Sequence, residues 1–347
     1  MKRFLSAFAL LCLCLTVTGC NKESKIELGT YKGITYTPVS TEVQETEIQA
    51  ALNKVISDAT TYETDESRAG TEVKDGDWLL IDYSGSLKET GEVFSGGTAR
   101  DERLQIGSGK FIPGFEDALI GKLVGESTSI NITFPENYAV NSTLAGKEAV
   151  FVVTIKEVQI PQVPELTDEL VSKHTDGVHK TIESYKEYLT EYLKQDKEAA
   201  AKESITAEVM EKVMANTTFE HINEKDVDEY YDSVLSYYNT IAMHFGVTLE
   251  SYVSYYYDKT LDEFYKEVEK IAEDTIKEQL VLDAIIEKEG ISLSDEQYQE
   301  MVKDYMEQYE YTDQKEFETD YTVENLRQSM LYDLAIDFIL DNAVPEE

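Results

Sequence analysis

Hydrophobic positions along the chain follow one period, switch to a second, and then return to the first. From residue 42 to 59, Val43, Ile48, Leu52 and Val55 or Ile56 fall on one side of a helix. A polar connector, TTYETDESRAGTEV, follows, and its Gly70 and charges mark a boundary. From residue 77 to 158 the pattern is that of strands: WLLIDY at 78–83, STSINITF at 127–134 and AVFVVTIKEV at 149–158. Turn signals at Thr90-Gly91, Gly96-Gly97 and Pro135-Glu136-Asn137 separate them, and residues 116–122 leave room for one short helix. Ahead of this block, residues 31–39 predict a short strand. Beyond Pro161 and Pro164 the helical period returns and stays. Residues 181–216 carry Ile182, Tyr185 and Leu189 at helical spacing, and Asn223 caps a helix that ends at Gly246. Thr260 opens a long helix that stops before Gly290, while Ser294 and Thr322 cap two more. No repeat of fixed period is present. The predicted fold class is α+β, an antiparallel β-sheet with a short helix inserted into a mostly α-helical chain.

The first twenty residues belong to a different pattern. Lys2 and Arg3 precede an apolar run over residues 4–17, which ends in Val17-Thr18-Gly19-Cys20. A basic start, a short apolar run and small residues before a cut describe a secretory signal. With a cysteine directly after the small pair, the segment resembles a bacterial lipoprotein signal. That resemblance implies removal of residues 1–19, lipidation of Cys20 and a polar tether over residues 20–30. The run is shorter than the ~20 residues a membrane span needs. Cys12, Cys14 and Cys20 are the only cysteines, so the mature chain would hold one thiol, already carrying lipid. Disulfides, cysteine-ligated metals and cysteine nucleophiles are thereby excluded.

Charge narrows the partners. The chain has 31 basic and 69 acidic residues, a formal charge of −38, and loss of Lys2 and Arg3 makes this more negative still. Such a field repels nucleic acid and anionic headgroups. The expected attachment is therefore through acyl chains at Cys20 alone, on the extracytoplasmic face of the cell membrane, with no nucleic acid partner. All four histidines, His174, His179, His221 and His244, lie outside the strand-rich block. The HTDGVH stretch holds two imidazoles and Asp176, a weak metal set that reads more simply as a polar loop before a helix. No metal and no cofactor are expected.

Residues 106–126 read IGSGKFIPGFEDALIGKLVGE and place Phe111, Ile112 and Phe115 around a Pro-Gly pair. Gly and Pro inside a helix cost about 1 and about 3 kcal/mol, so this stretch calls for a tight chain path and an apolar surface together. Four further stretches accompany it in order: DGDWLLIDYSGSL (75–87), GEVFSGG (91–97), ITFPENY (132–138) and LAGKEAVFVVTIKEV (144–158). As a set they resemble the FKBP family of peptidyl-prolyl isomerases, most closely the isomerase domain of trigger factor. Residues 31–59, PELTDEL at 164–170 and the helical remainder are similar to the substrate-binding arms of trigger factor. The resemblance implies an FKBP-type isomerase domain at 73–160. Residues 31–72 would belong with 161–347 to a trigger factor C-terminal/SurA-like helical chaperone domain. The ribosome-docking domain of that family has no counterpart in the resemblance, and the lipoprotein signal stands in its place, so no ribosome partner is expected.

In the FKBP family this glycine-punctuated stretch carries one wall and the floor of a groove that accepts a proline ring. Carried over position by position, Tyr83, Phe94, Phe111, Ile112, Phe115, Phe134, Tyr138 and Phe151 would line it, with Phe115 where many FKBPs have tryptophan. The resemblance implies non-covalent isomerisation of Xaa-Pro bonds in unfolded or secreted polypeptides. Two positions depart from the pattern: Ser95 stands where many FKBPs have an acidic side chain, and Glu102 where they have an aromatic one.

Tyrosine occurs 23 times, densely in residues 228–245 and 251–259. Pairs such as Tyr230-Tyr231 and Tyr237-Tyr238 cannot all face one side of a helix. Two readings stand: these helices cradle unfolded chains through rings with an apolar body and a polar tip, or tyrosine simply serves as a core residue. The whole chain likewise admits a runner-up, a non-catalytic holdase on a degenerate FKBP scaffold. A solute-binding lipoprotein is more distant, because paired βαβ lobes are missing.

Overall fold

A computed structural model of the chain describes residues 24–138 and 141–346. The predicted signal and Cys20 lie outside the described residues. The chain divides into two compact units, one of residues up to Glu42 together with Gln195–Glu347, the other Val43–Lys194. Among the described residues no helix is long and apolar enough to cross a membrane.

Two short strands come first, β1 (Lys25–Glu27) and β2 (Thr35–Tyr36). The strand expected over residues 31–39 shrinks to two residues. Tyr31 and Ile34 are instead buried among helices, and Gly33, at φ +72°, donates its N–H to Asn342 O at 2.8 Å.

The second unit begins with α1 (Glu45–Ala59), whose start is fixed by a reciprocal cap between Gln44 and Glu47. Its sheet comprises β3 (Thr61–Thr64), β4 (Trp78–Leu87), β5 (Val93–Gln105), β6 (Ser127–Thr133) and β7 (Glu148–Gln162), with the short helix α2 (Phe115–Leu119) between β5 and β6. All pairings are antiparallel, in the order β3-β7-β4-β5, and β6 also pairs with β7. Two of these strands differ from the sequence pattern. β3 lies inside the polar connector, where it needs only the backbone of β7 as partner and buries no side chain fully. β5 runs straight through Gly96-Gly97, expected as a turn. Its glycines and Asp101 (φ +54°) sit where the ladder with β4 shifts register, which erases the alternation that would have announced a strand.

Along β4, Leu79, Ile81, Tyr83 and Gly85 share one face. Leu79 and Ile81 are wholly buried with Leu104, Ile106, Phe115, Leu119, Val153 and Ile155 in the core between sheet and α2. After β7 come α3 (Asp168–His174), capped by Thr167, and α4 (Ile182–Asn216). Leu189 of α4 joins Ile48 and Leu52 of α1 in a smaller cluster, with Tyr185 and Leu193 beside it.

The first unit continues with β8 (Thr218–His221), α5 (Glu224–His244), α6 (Leu249–Tyr257), α7 (Leu261–Glu289), α8 (Asp295–Gln308), α9 (Gln314–Tyr321), α10 (Val323–Asp341) and β9 (Val344–Pro345). β1 pairs antiparallel with β8, and β2 parallel with β9. The expected caps are in place: Asn223, Thr260, Ser294 and Thr322 each accept a backbone N–H of the helix they precede, and Gly290 ends α7 at φ +66°. α7 contributes to three separate clusters in succession, through Phe264 and Val268, then Ala272 and Ile276, then Val281, Leu282 and Ile285. Short clusters strung along a long helix, rather than one deep core, build this unit.

Candidate functional site

The eight expected groove residues come from separate segments of the chain and meet in one cluster. Tyr83 extends from β4, Phe94 from β5 and Phe151 from β7. Phe111 and Ile112 sit on the loop before α2, Phe115 is the first residue of α2, Phe134 follows β6, and Tyr138 closes the next turn through its N–H to Pro135 O at 3.2 Å. Phe115, Phe134 and Phe151 are only 1, 3 and 4% exposed and form a floor. Tyr83, Phe94, Phe111, Ile112 and Tyr138 are half-buried and form a rim.

Edge-to-face contacts hold the rings. Phe115 lies 5.3 Å from Phe151 at 87°, and Phe94 lies 5.5 Å from Phe134 and 5.7 Å from Phe151, both at 80°. Tyr83 meets Phe111, Phe115 and Phe151 at 5.7, 5.9 and 6.2 Å. Tyr138 sits 5.0 Å from Phe134. Such offsets place the positive ring edge on the negative face, each worth about 0.5–1.5 kcal/mol beyond burial.

Glycine makes the room. Gly85 pairs with Phe151 across the ladder, and a Cβ there would come within 2.4 Å of Phe151 Cε1 and 2.8 Å of Phe94 Cζ. The Pro113-Gly114 break serves a second need, because Gly114 starts α2 at φ +87°, a conformation that side chains resist.

A residue that sequence reasoning passed over anchors the wall. Glu116 is 7% exposed, and its carboxylate accepts hydrogen bonds from Gly109 N–H (3.0 Å), Phe111 N–H (3.2 Å) and the Ser108 hydroxyl (3.2 Å). Burial opposes its ionisation, but these donors outweigh burial and hold the carboxyl below its ordinary range. The signal was present in GSGKFIPGFED: an acid in the first helical turn, just after a glycine-rich loop with free N–H groups. Glu116 thus fixes the loop that presents Phe111.

Of the two departures, Ser95 and Glu102 are both exposed on β5. His174 and His179 pack against Tyr185 at 6.3 and 5.5 Å, the second also against Tyr188 at 4.7 Å. Among the described residues no group of three or more His, Cys, Asp or Glu gathers as a metal site.

The helical unit carries a second aromatic surface of another kind. Met243, Phe245 and Tyr255 are 77, 57 and 76% exposed at the end of α5 and along α6. Phe245 lies 6.0 Å from both Tyr252 and Tyr256, and Tyr252 and Tyr256 lie 4.7 Å apart. Other tyrosines are core residues: Tyr230 is fully buried, and Tyr238 meets Phe264 edge-on at 5.1 Å. The core reading of the tyrosine-rich helices therefore holds for Tyr230 and Tyr238, while Phe245 and Tyr255 are exposed.

Residues 70–156 match the family model of FKBP-type peptidyl-prolyl cis-trans isomerase, and residues 181–341 match that of the bacterial trigger factor protein C-terminus. The trigger factor of Carboxydothermus hydrogenoformans is 35% identical over 323 residues, covering 92% of this chain and 73% of that protein. The trigger factor of Halothermothrix orenii is 32% identical over 325 residues, again covering 92% and 73%. That of Limosilactobacillus fermentum is 33% identical over 329 residues, covering 95% and 73%.

Proposed function

This chain belongs to the trigger factor family and carries an FKBP-type isomerase domain, and on that premise we propose that it isomerises prolyl bonds in unfolded polypeptides that its helical unit holds. Rotation about a peptide bond faces a barrier of about 18–20 kcal/mol, since amide resonance must be broken. Uncatalysed prolyl exchange consequently takes tens to hundreds of seconds. The twisted amide is less dipolar than the planar one. An apolar slot that strips water from the bond thus disfavours the planar ground state relative to the transition state. The observation that carries this reading is the ring cluster, a buried floor of Phe115, Phe134 and Phe151 beneath a half-exposed rim. No nucleophile or proton transfer is needed.

The test is cis/trans exchange of a short Xaa-Pro peptide, followed by NMR. The wild type should accelerate exchange, and a double variant of the rim, Phe94→Ala with Phe111→Ala, should lose about tenfold or more with its far-UV circular dichroism unchanged. Absence of acceleration by wild type would leave the holdase reading.

Holding of clients is supported by the exposed rings of α5 and α6. Flat, rigid, amphipathic side chains give contact area at low entropic cost. For location, we propose a lipid-anchored protein on the extracytoplasmic face, released from its signal before Cys20 and acting away from the ribosome. The support is the sequence of residues 2–20. Metabolic labelling with palmitate should mark the wild type, whereas Cys20→Ala should be unlabelled and leave the membrane fraction; label retained in Cys20→Ala defeats the anchor.

A further inference from the structure

We propose that Glu102 makes the groove selective for prolyl bonds flanked by lysine or arginine. This rests on the groove reading above, which supplies the peptide for Glu102 to meet. The strand register carries the argument. β5 is the edge of the sheet, and Glu102 shares a strand face with Leu104 and Ile106, both buried in the core. Across the ladder Leu104 pairs with Leu79 and Glu102 with Ile81, and the same row of β4 continues to Tyr83 on the groove rim. Glu102 is thus the point where the core-facing row of β5 emerges into water beside the groove. Directly opposed side chains in such a ladder stand about 4.5–5.5 Å apart at Cβ, and diagonal ones about 7–8 Å. Burial and then the charge of Glu102 push the Tyr83 hydroxyl pKa upward, in keeping with that proximity.

The carboxylate is also uncommitted. Among the described residues no hydrogen bond or ion pair engages it. Two nearby cations serve elsewhere: Lys156 bridges Asp82 at 2.7 Å and Asp101 at 2.6 Å, while Arg103, on the opposite strand face, donates to Gln159 at 3.0 Å and lies over the Tyr62 ring. Arg100, two residues along β5, is exposed, and its charge acts on Asp82. A peptide lying across the rim therefore meets the Glu102 carboxylate, which has no ion-pair partner among the described residues. A unit charge about 4 Å away in water changes binding about five-fold, in favour of a cation and against an anion.

The experiment uses the full chain and five blocked peptides: lysine before proline, lysine after it, glutamate in each place, and a leucine reference. Exchange is measured by NMR and binding by anisotropy of fluorescently labelled peptides. The wild type should favour at least one lysine peptide over its glutamate partner by about ten-fold or more at low salt. In E102Q that ratio should fall to near one, a loss of about ten-fold or more, and in Glu102→Lys it should reverse. Rising ionic strength should shrink the wild-type ratio, because the site is exposed. Equal ratios in wild type and E102Q overturn the proposal, even if both accelerate exchange. Lysine-selective binding that depends on Glu102 sustains it, even if no peptide is turned over, and in that case only the isomerase reading fails. Glu102 is solvent-exposed, so neither variant puts the fold at risk.

Discussion

Phe115 in the sheet unit and Tyr255 in the helical unit are both aromatic residues of short helices, and their surroundings are opposite. Phe115 is 1% exposed, meets Phe111, Phe151 and Tyr83, and sits at the start of a helix whose preceding loop Glu116 ties down. Tyr255 is 76% exposed and, among the described residues, its ring pairs only with Tyr256. The first arrangement is a closely packed cluster. The second is a surface of exposed rings. Under the proposed function the two units would divide recognition, a packed cluster in one and exposed rings in the other.

Three variants would break or sharpen that contrast. The largest effect is expected from Phe115→Ala, which removes a floor ring in a close-packed site. It should lower stability by about 3–5 kcal/mol, read as a shift of the urea unfolding midpoint, and a loss under about 1 kcal/mol would mean the floor is not close-packed. Next, Glu116→Gln should cost about 1–3 kcal/mol at pH 7, because charged acceptance of buried N–H groups is lost. The carboxyl is held below its ordinary range when folded. Its stabilising effect is therefore complete above the unfolded value and disappears as pH falls through the folded one. The gap between wild type and variant should accordingly close in acid, and a gap that widens below pH 4 would contradict the assignment. The smallest stability change is expected from Phe245→Ser with Tyr255→Ser, within about 0.5 kcal/mol. The same pair should lose suppression of aggregation of an unfolded client, measured by light scattering. Unimpaired suppression would remove this surface from client holding.

Legibility differed between the units for a physical reason. The helices of the first unit announce their limits locally, since a cap is a bond between residues three apart, and Thr260 with Glu263 or Ser294 with Gln297 form such bonds as the order of residues implies. β3 and β5 were missed or misread because an edge strand draws its stability from a distant partner's backbone, leaving little mark on its own side chains. The eight clustered positions could be named from ordered motifs, but which of them are buried and which half-exposed could not. Nor could the anchoring role of Glu116, which depends on the path of the loop over residues 107–111.

The order of residues by itself determined the period of each segment, the helix caps, the sign of the charge and the positions that carry the aromatic rings. Tertiary structure alone decided which rings are buried, how Gly85 admits Phe151, and that Glu102 comes near Tyr83 at the edge of the sheet. Periodicity and capping are contests between near neighbours, whereas burial and cross-strand register are settled only when segments many residues apart exclude water from one another.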